Sequence, residues 1–121
     1  MGAGLPMAIG AAISTGRPVT LIDGDGSFQM SMHELGTLMT YRDRCNIDIH
    51  IIDNGSGGIV SQFARLNGYD PKETTWDTPD FNQIAAAYGL SVTVHKTSEE
   101  SVFPILEGGH QMDSMTWGYR E

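Results

Sequence analysis

The period of the apolar positions changes several times along the chain, and each change marks an element. Residues 5–14 are dense in apolar and small side chains, with Pro6 suited to a first helical turn and Gly16 to an exit, which predicts a closely packed helix. Val19-Thr20-Leu21-Ile22 is an apolar run of strand length that stops at Asp23-Gly24-Asp25-Gly26, read as a tight glycine turn. Phe28, Met32, Leu35 and Met39 then recur at helical spacing, and Ser31 with Glu34 forms the Ser-x-x-Glu pattern of a capping box.

The period shortens to two at Ile47, Ile49 and Ile51, which predicts a second strand over residues 46–52 that closes at Asp53-Asn54-Gly55-Ser56-Gly57-Gly58. Residues 58–66 suit a short helix. Residues 67–79 are polar and turn-rich, expected to form an irregular, mobile loop in which Trp76 is a local anchor or the cover of a site. Thr78-Pro79 opens a helix with Phe81, Ile84, Ala85 and Tyr88 on one face and Gly89 past its end, and Val92 and Val94 suggest a third strand. Strands alternating with helices argue for a parallel sheet, which binds ligands at the carboxyl ends of its strands, where both polar glycine turns fall.

At 121 residues there is room for one domain. A formal net charge of −8 repels nucleic-acid backbones and anionic membrane surfaces, so neither is an expected partner. The single Cys45 rules out an internal disulfide, and the cytoplasm is the expected compartment. The apolar opening has no cationic segment before it and is too short to cross a bilayer, so no signal peptide or membrane anchor is expected. His33, His50, His95 and His110 are scattered, without ligand spacing, and the seven methionines read as adaptable core filler.

Asp25 and Asn54 are the candidates for chemistry, since each lies just past a strand where neighbouring turns bring side-chain oxygens together, as a hard cation requires. On spacing alone the same pattern also fits plain turns in which Asp caps a helix. Asp23, Asp25, Ser27 and Glu34 imitate an EF-hand loop, but Phe28 stands at its sixth place, which needs Gly, and the element before it reads as a strand.

Met1-Gly-x-Gly-Leu-Pro-x-Ala-Ile-Gly-Ala, then Gly-Asp-Gly-Ser-Phe-Gln-Met-x-x-x-Glu-Leu, then Asp53-Asn54 and Gly58-Ile59-Val60 resemble the acetolactate synthases and related thiamine diphosphate (ThDP) enzymes, in family order from residue 1 to about residue 95. The resemblance implies a three-layer α/β fold, a parallel sheet with helices on both faces, here in an apparently truncated single domain over residues 1–121. It implies that Asp25, Asn54 and the Ser56 carbonyl hold Mg²⁺ against the diphosphate of ThDP. It also implies cofactor contacts from Gly24, Gly26 and Ser27, from backbone groups near Gly58 and Ile59 at a helix start, and from Met1 as an apolar wedge under the bent cofactor.

The implied activity is that of a 2-oxo acid decarboxylating carboligase, a transferase or lyase of acetolactate synthase type. The catalytic Glu of that family lies on a pyrimidine-binding domain, usually of a neighbouring subunit in a homo-oligomer. No residue here matches it, so the chain alone is expected to be inactive. Asp53 departs from the family's usual Asn, the stretch from Asp43 to Asp48 is about two residues longer than the family pattern, and in the tail, residues 102–121, Val102 to Ile105 and Gly109 to Met115 look like the family's last segment arriving early. Other readings are a non-catalytic nucleotide- or phosphate-binding α/β module, against which the lack of a Gly-x-Gly-x-x-Gly after a strand argues, and an inactive fragment.

Overall fold

The computed structural model describes residues 1–97, and the tail from Val102 onward lies outside them. Of the described residues, Met1–Gly55 and 77–97 make one compact unit and Ser56–Trp76 fall in a second.

The first unit opens with helix α1, Gly4–Thr15, which buries Leu5, Ala8, Ile9 and Ala12, and Gly16 closes it in the left-handed conformation. Strand β1, Val19–Gly24, passes directly into helix α2, Asp25–Ser31. A 3₁₀ turn over Met32–Glu34 leads to helix α3, Leu35–Thr40, and strand β2 spans Ile47–Asp53. The chain returns to this unit at Asp77 and adds helix α5, Phe81–Ala87, and strand β3, Thr93–Lys96. The second unit holds helix α4, Gly58–Leu66, and a 3₁₀ turn over Pro71–Thr74.

The sheet has the order β1-β2-β3, with both neighbouring pairs parallel. Leu21 pairs with Ile49 and Asp23 with Ile51, and Ile51 in turn pairs with Val94, so these residues share one face. That face carries the core: Leu5, Ile9, Phe28, Leu35, Leu38, Ile49, Ile51 and Phe81 cluster on it, and the Phe28 and Phe81 rings meet edge to face at 5.7 Å. The other face presents Ile22, which is 70% exposed, with Ile52, His50 and His95. The α/β class and parallel sheet are as expected, with the unit's one core gathered on a single face of that sheet.

Three local readings are corrected. The turn expected at 23–26 does not form, because β1 runs through Gly24 and α2 begins at Asp25 with no residue between. Ser31 is therefore the last residue of α2, not a cap before a helix. Its buried hydroxyl has no hydrogen-bond partner, and Glu34 accepts instead from the Thr37 hydroxyl at 2.7 Å. Helix α5 starts at Phe81, capped by the Asp80 carboxylate, which accepts from the Gln83 amide at 3.0 Å, so Thr78 and Pro79 precede the cap. The stretch 67–79 contains the 3₁₀ turn and a bridge from Thr75 to Ser56.

Candidate functional site

The parallel register sets the carboxyl ends of β1 and β2 side by side, with Gly24 opposite Ile52. Asp25 opens α2 at the first end, and Asn54-Gly55 follow β2 at the second. Asp25 is buried, 3% exposed, and its Oδ2 accepts the Gly55 N–H at 3.0 Å. A hydrogen bond to a carboxylate is of the stronger, charge-assisted kind, so it ties the β1–α2 junction to the turn after β2. Gly55 takes φ +62° in that turn. Asn54, half-buried, follows β2 and directly precedes Gly55.

The opening motif is built into the same corner. Gly2, at φ +73°, donates its N–H to Ser27 Oγ at 3.0 Å, and a side chain on it would meet Met30 Cβ at 3.0 Å. Gly4 packs against the end of β1 so closely that a Cβ there would stand 2.5 Å from Asp23 Oδ2 and 3.2 Å from Leu21 Cδ1. Asp23 in turn accepts the Gly24 N–H through Oδ1 at 3.0 Å. A Cβ on Gly24 meets no protein atom within 4 Å, so the backbone beside Asp25 is open to close approach. Met1 is 83% exposed.

Asp53 is the residue whose part the sequence did not disclose. It is buried, its Oδ2 accepts from the Thr78 hydroxyl at 3.0 Å and lies 3.5 Å from Lys96 Nζ, and its carbonyl accepts the Thr97 N–H at 3.0 Å. It thus joins the end of β2 to the end of β3 and to the segment before α5. The partners lie 25 and more residues away, so no local spacing announces them. Asp53, Thr78, Asp80, Phe81, Val94 and Lys96 border a cavity of about 360 Å³ on this side. A cavity of about 470 Å³ at the opposite, amino ends of the strands, bordered by Ile13, Pro18, Arg44 and Cys45, holds none of the expected site residues.

In the second unit, Ser56, Ser61 and Thr74 form a hydroxyl chain. Thr74 Oγ1 donates to the Pro71 carbonyl at 2.6 Å, so it accepts from Ser61, which accepts from Ser56 Oγ at 3.1 Å. Gly57 donates to the Thr74 carbonyl at 2.9 Å and lies beside the Trp76 ring. Gly58 and Ile59 open α4, whose first-turn N–H groups have no partner within the helix and point as a helix N-terminus toward anions.

The donors beside the β1–α2 junction and in the turn after β2 are oxygens: the buried Asp25 carboxylate, the Asn54 amide and backbone carbonyls, while the Asp53 carboxylate is engaged by Thr78 and Lys96. Among the described residues no three His, Cys, Asp or Glu side chains gather into a metal-holding group. A set with a single carboxylate suits Mg²⁺, which keeps waters and takes its remaining ligands from phosphate oxygens, and does not suit a thiolate- or imidazole-seeking ion. No helix among the described residues is long and apolar enough to cross a membrane.

Residues 1–114 match the family model described as thiamine pyrophosphate enzyme, C-terminal TPP binding domain. The chain is 40% identical over 94 residues to an acetolactate synthase large subunit of Pyropia yezoensis, covering 74% of this chain and 16% of that protein. It is 40% identical over 95 residues to the acetolactate synthase isozyme 2 large subunit of Escherichia coli (strain K12), covering 74% and 17%. An acetolactate synthase of Arthrospira platensis is 32% identical over 144 residues, covering 95% and 24%. The chain therefore spans no more than about a quarter of the length of these relatives.

Proposed function

The chain belongs to the thiamine pyrophosphate enzyme family, as its C-terminal TPP-binding domain, and from that membership we propose that it is the Mg²⁺- and diphosphate-holding part of an acetolactate synthase-like, 2-oxo acid decarboxylating carboligase. The observation that carries the reading is the Asp25 to Gly55 hydrogen bond, which holds a buried carboxylate at the carboxyl ends of two parallel strands. Asp25 and Asn54 offer Mg²⁺ side-chain oxygens from this corner, and Ser56, two residues further along the chain, offers its carbonyl by the family pattern.

Gly24, Gly26 and Ser27 take the diphosphate along the start of α2, where Gly24 leaves room for close backbone approach. The Gly58 and Ile59 amides at the start of α4 supply backbone donors to an anion. Such donors and one metal ion let an acidic chain bind an anion without Lys or Arg. Met1 serves as the apolar wedge. When bound, ThDP supplies a C2 carbanion and an electron sink for decarboxylation of a 2-oxo acid and transfer to an acceptor carbonyl. The chain's residues anchor and orient; the proton-moving Glu belongs to a pyrimidine-binding domain, of the same parent chain or of another subunit in a homo-oligomer. The compartment in this reading is the cytoplasm, in keeping with the lone, buried Cys45.

The test is calorimetric titration of the chain with ThDP, with and without Mg²⁺. Binding that requires Mg²⁺ and is weakened beyond about tenfold in Asp25→Ala supports the reading. Equal binding by wild type and Asp25→Ala, with far-UV circular dichroism showing both folded, refutes it.

A further inference from the structure

Asn54 and Asn67 are each followed by glycine, the residue whose backbone nitrogen approaches a neighbouring side chain with least hindrance. Their surroundings differ. Asn67 is exposed and caps the end of α4 with φ −99° and ψ 9°. Its Nδ2 donates to the Phe63 carbonyl at 2.9 Å, and the Gly68 N–H donates to the Arg65 carbonyl at 3.0 Å. Gly68 is exposed at φ +75°, and a Cβ there would meet nothing within 4 Å. These bonds belong to the last turn of α4, and the end turns of a helix fray first. At Asn54, by contrast, the N–H of the following Gly55 is held by the buried Asp25 carboxylate at 3.0 Å, and its release requires the corner between two paired strands to open.

We propose that Asn67 is a site of spontaneous deamidation and that Asp25 protects Asn54 from the same reaction. In the closed cap, ψ 9° keeps the Gly68 nitrogen out of the eclipsed arrangement with the Asn67 Cβ that ring closure needs, so fraying of α4 sets the rate. Once the turn opens, hydroxide takes the Gly68 amide proton and the nitrogen attacks Asn67 Cγ. The new C–N bond forms, the Cγ–Nδ2 bond breaks, and the side-chain nitrogen takes a proton from water and leaves as ammonia. Water then opens the five-membered succinimide at one carbonyl or the other, which leaves aspartate or isoaspartate at position 67. Either product puts a carboxylate at the negative end of α4, in place of an amide that donated to Phe63, and loosens the last turn further. At Asn54 the nucleophile is withheld, because Asp25 accepts the Gly55 hydrogen and its charge opposes the negative charge that the nitrogen takes up on losing that hydrogen. No metal or cofactor takes part, so the reaction is independent of the Mg²⁺ reading of the Asp25 corner.

The experiment is storage of the full chain in mildly alkaline buffer, with peptide mapping by mass spectrometry and isoaspartyl methyltransferase labelling at intervals. Conversion at Asn67 is expected to exceed conversion at Asn54 by more than about tenfold in the folded chain. Urea above the unfolding midpoint is expected to bring the two rates within a few-fold of each other. In folded Asp25→Ala, conversion at Asn54 is expected to rise about tenfold or more, with Asn67 unaffected. Equal rates at the two positions in the folded, unmodified chain overturn the proposal. So does an Asn67 that converts no faster than Asn46 or Asn82, neither of which precedes glycine. An Asn54 that stays intact in urea, or in folded Asp25→Ala, removes Asp25 as its protector. The comparisons in buffer and in urea use the unmodified chain, so no variant's folding bears on them.

Discussion

Gly4 in α1 and Asp23 in β1 touch so closely that the helix has no room for a side chain there: a Cβ on Gly4 would stand 2.5 Å from Asp23 Oδ2, an oxygen that is buried and without a hydrogen-bond partner. Gly4→Ala is therefore expected to destabilise the chain by about 1–3 kcal/mol through overpacking. Gly10, in the same helix, has nothing within 4 Å of its Cβ position, and Gly10→Ala is expected to stabilise by about 0.5–1 kcal/mol. Urea denaturation of both variants gives the comparison, and equal effects would remove the close-packing argument.

Asp25→Asn keeps the shape of the side chain and leaves an oxygen able to accept from Gly55, while removing the charge that a metal needs. The variant is expected to melt within a few degrees of wild type and to lose Mg²⁺-dependent ThDP binding. Parallel thermal melts and titrations separate the two effects.

Phe28 is buried and meets Phe81 edge to face, so Phe28→Ala opens a cavity between α2 and α5. A loss of about 3–5 kcal/mol is expected, a large share of a small domain's total stability. Near-UV circular dichroism and denaturant midpoints will show it, and a loss below about 1 kcal/mol would place the core elsewhere.

Ser61→Ala removes the middle of the chain from Ser56 through Ser61 to Thr74, at a fully buried position. The expected cost is about 1–3 kcal/mol, felt within Ser56–Trp76. Hydrogen exchange should speed up in α4 and at the Gly57 amide while β2 amides keep their protection.

Asp80→Ala removes the carboxylate that accepts from the Gln83 amide, with an expected loss of about 0.5–2 kcal/mol. Asp80→Asn, which retains a capping oxygen, should lose only a fraction of that in the same denaturation assay.

Much of this was legible in the sequence, and the limits were physical. The alternation of Ile47, Ile49 and Ile51 placed β2, and the small apolar residues of 5–14 placed α1, because those patterns record burial on one face. The start of α2 was missed because Ser31 and Glu34 imitate a cap, whereas Asp25 begins the helix with no local side-chain cap and spends its carboxylate on Gly55, thirty residues away. Met39 looked like part of the buried face, yet it is exposed and Leu38 holds the core position, a one-residue drift that the 3₁₀ turn at Met32–Glu34 introduces. The need for glycine at Gly2 and Gly4 of the opening motif comes from close approach to Met30 and Asp23, partners that no local period reveals.

The Asp25 to Gly55 bond also has a thermodynamic reach beyond its corner. It exists only when β1 and β2 are paired in register, which brings residues some thirty positions apart together and makes the corner a product of the whole fold and not of either turn. A ligand held there binds the folded state alone, so it must raise the midpoint of unfolding with its concentration, by about 2.7 kcal/mol at a hundredfold excess over its dissociation constant. The melting temperature of the chain thus becomes a gauge of ligand affinity.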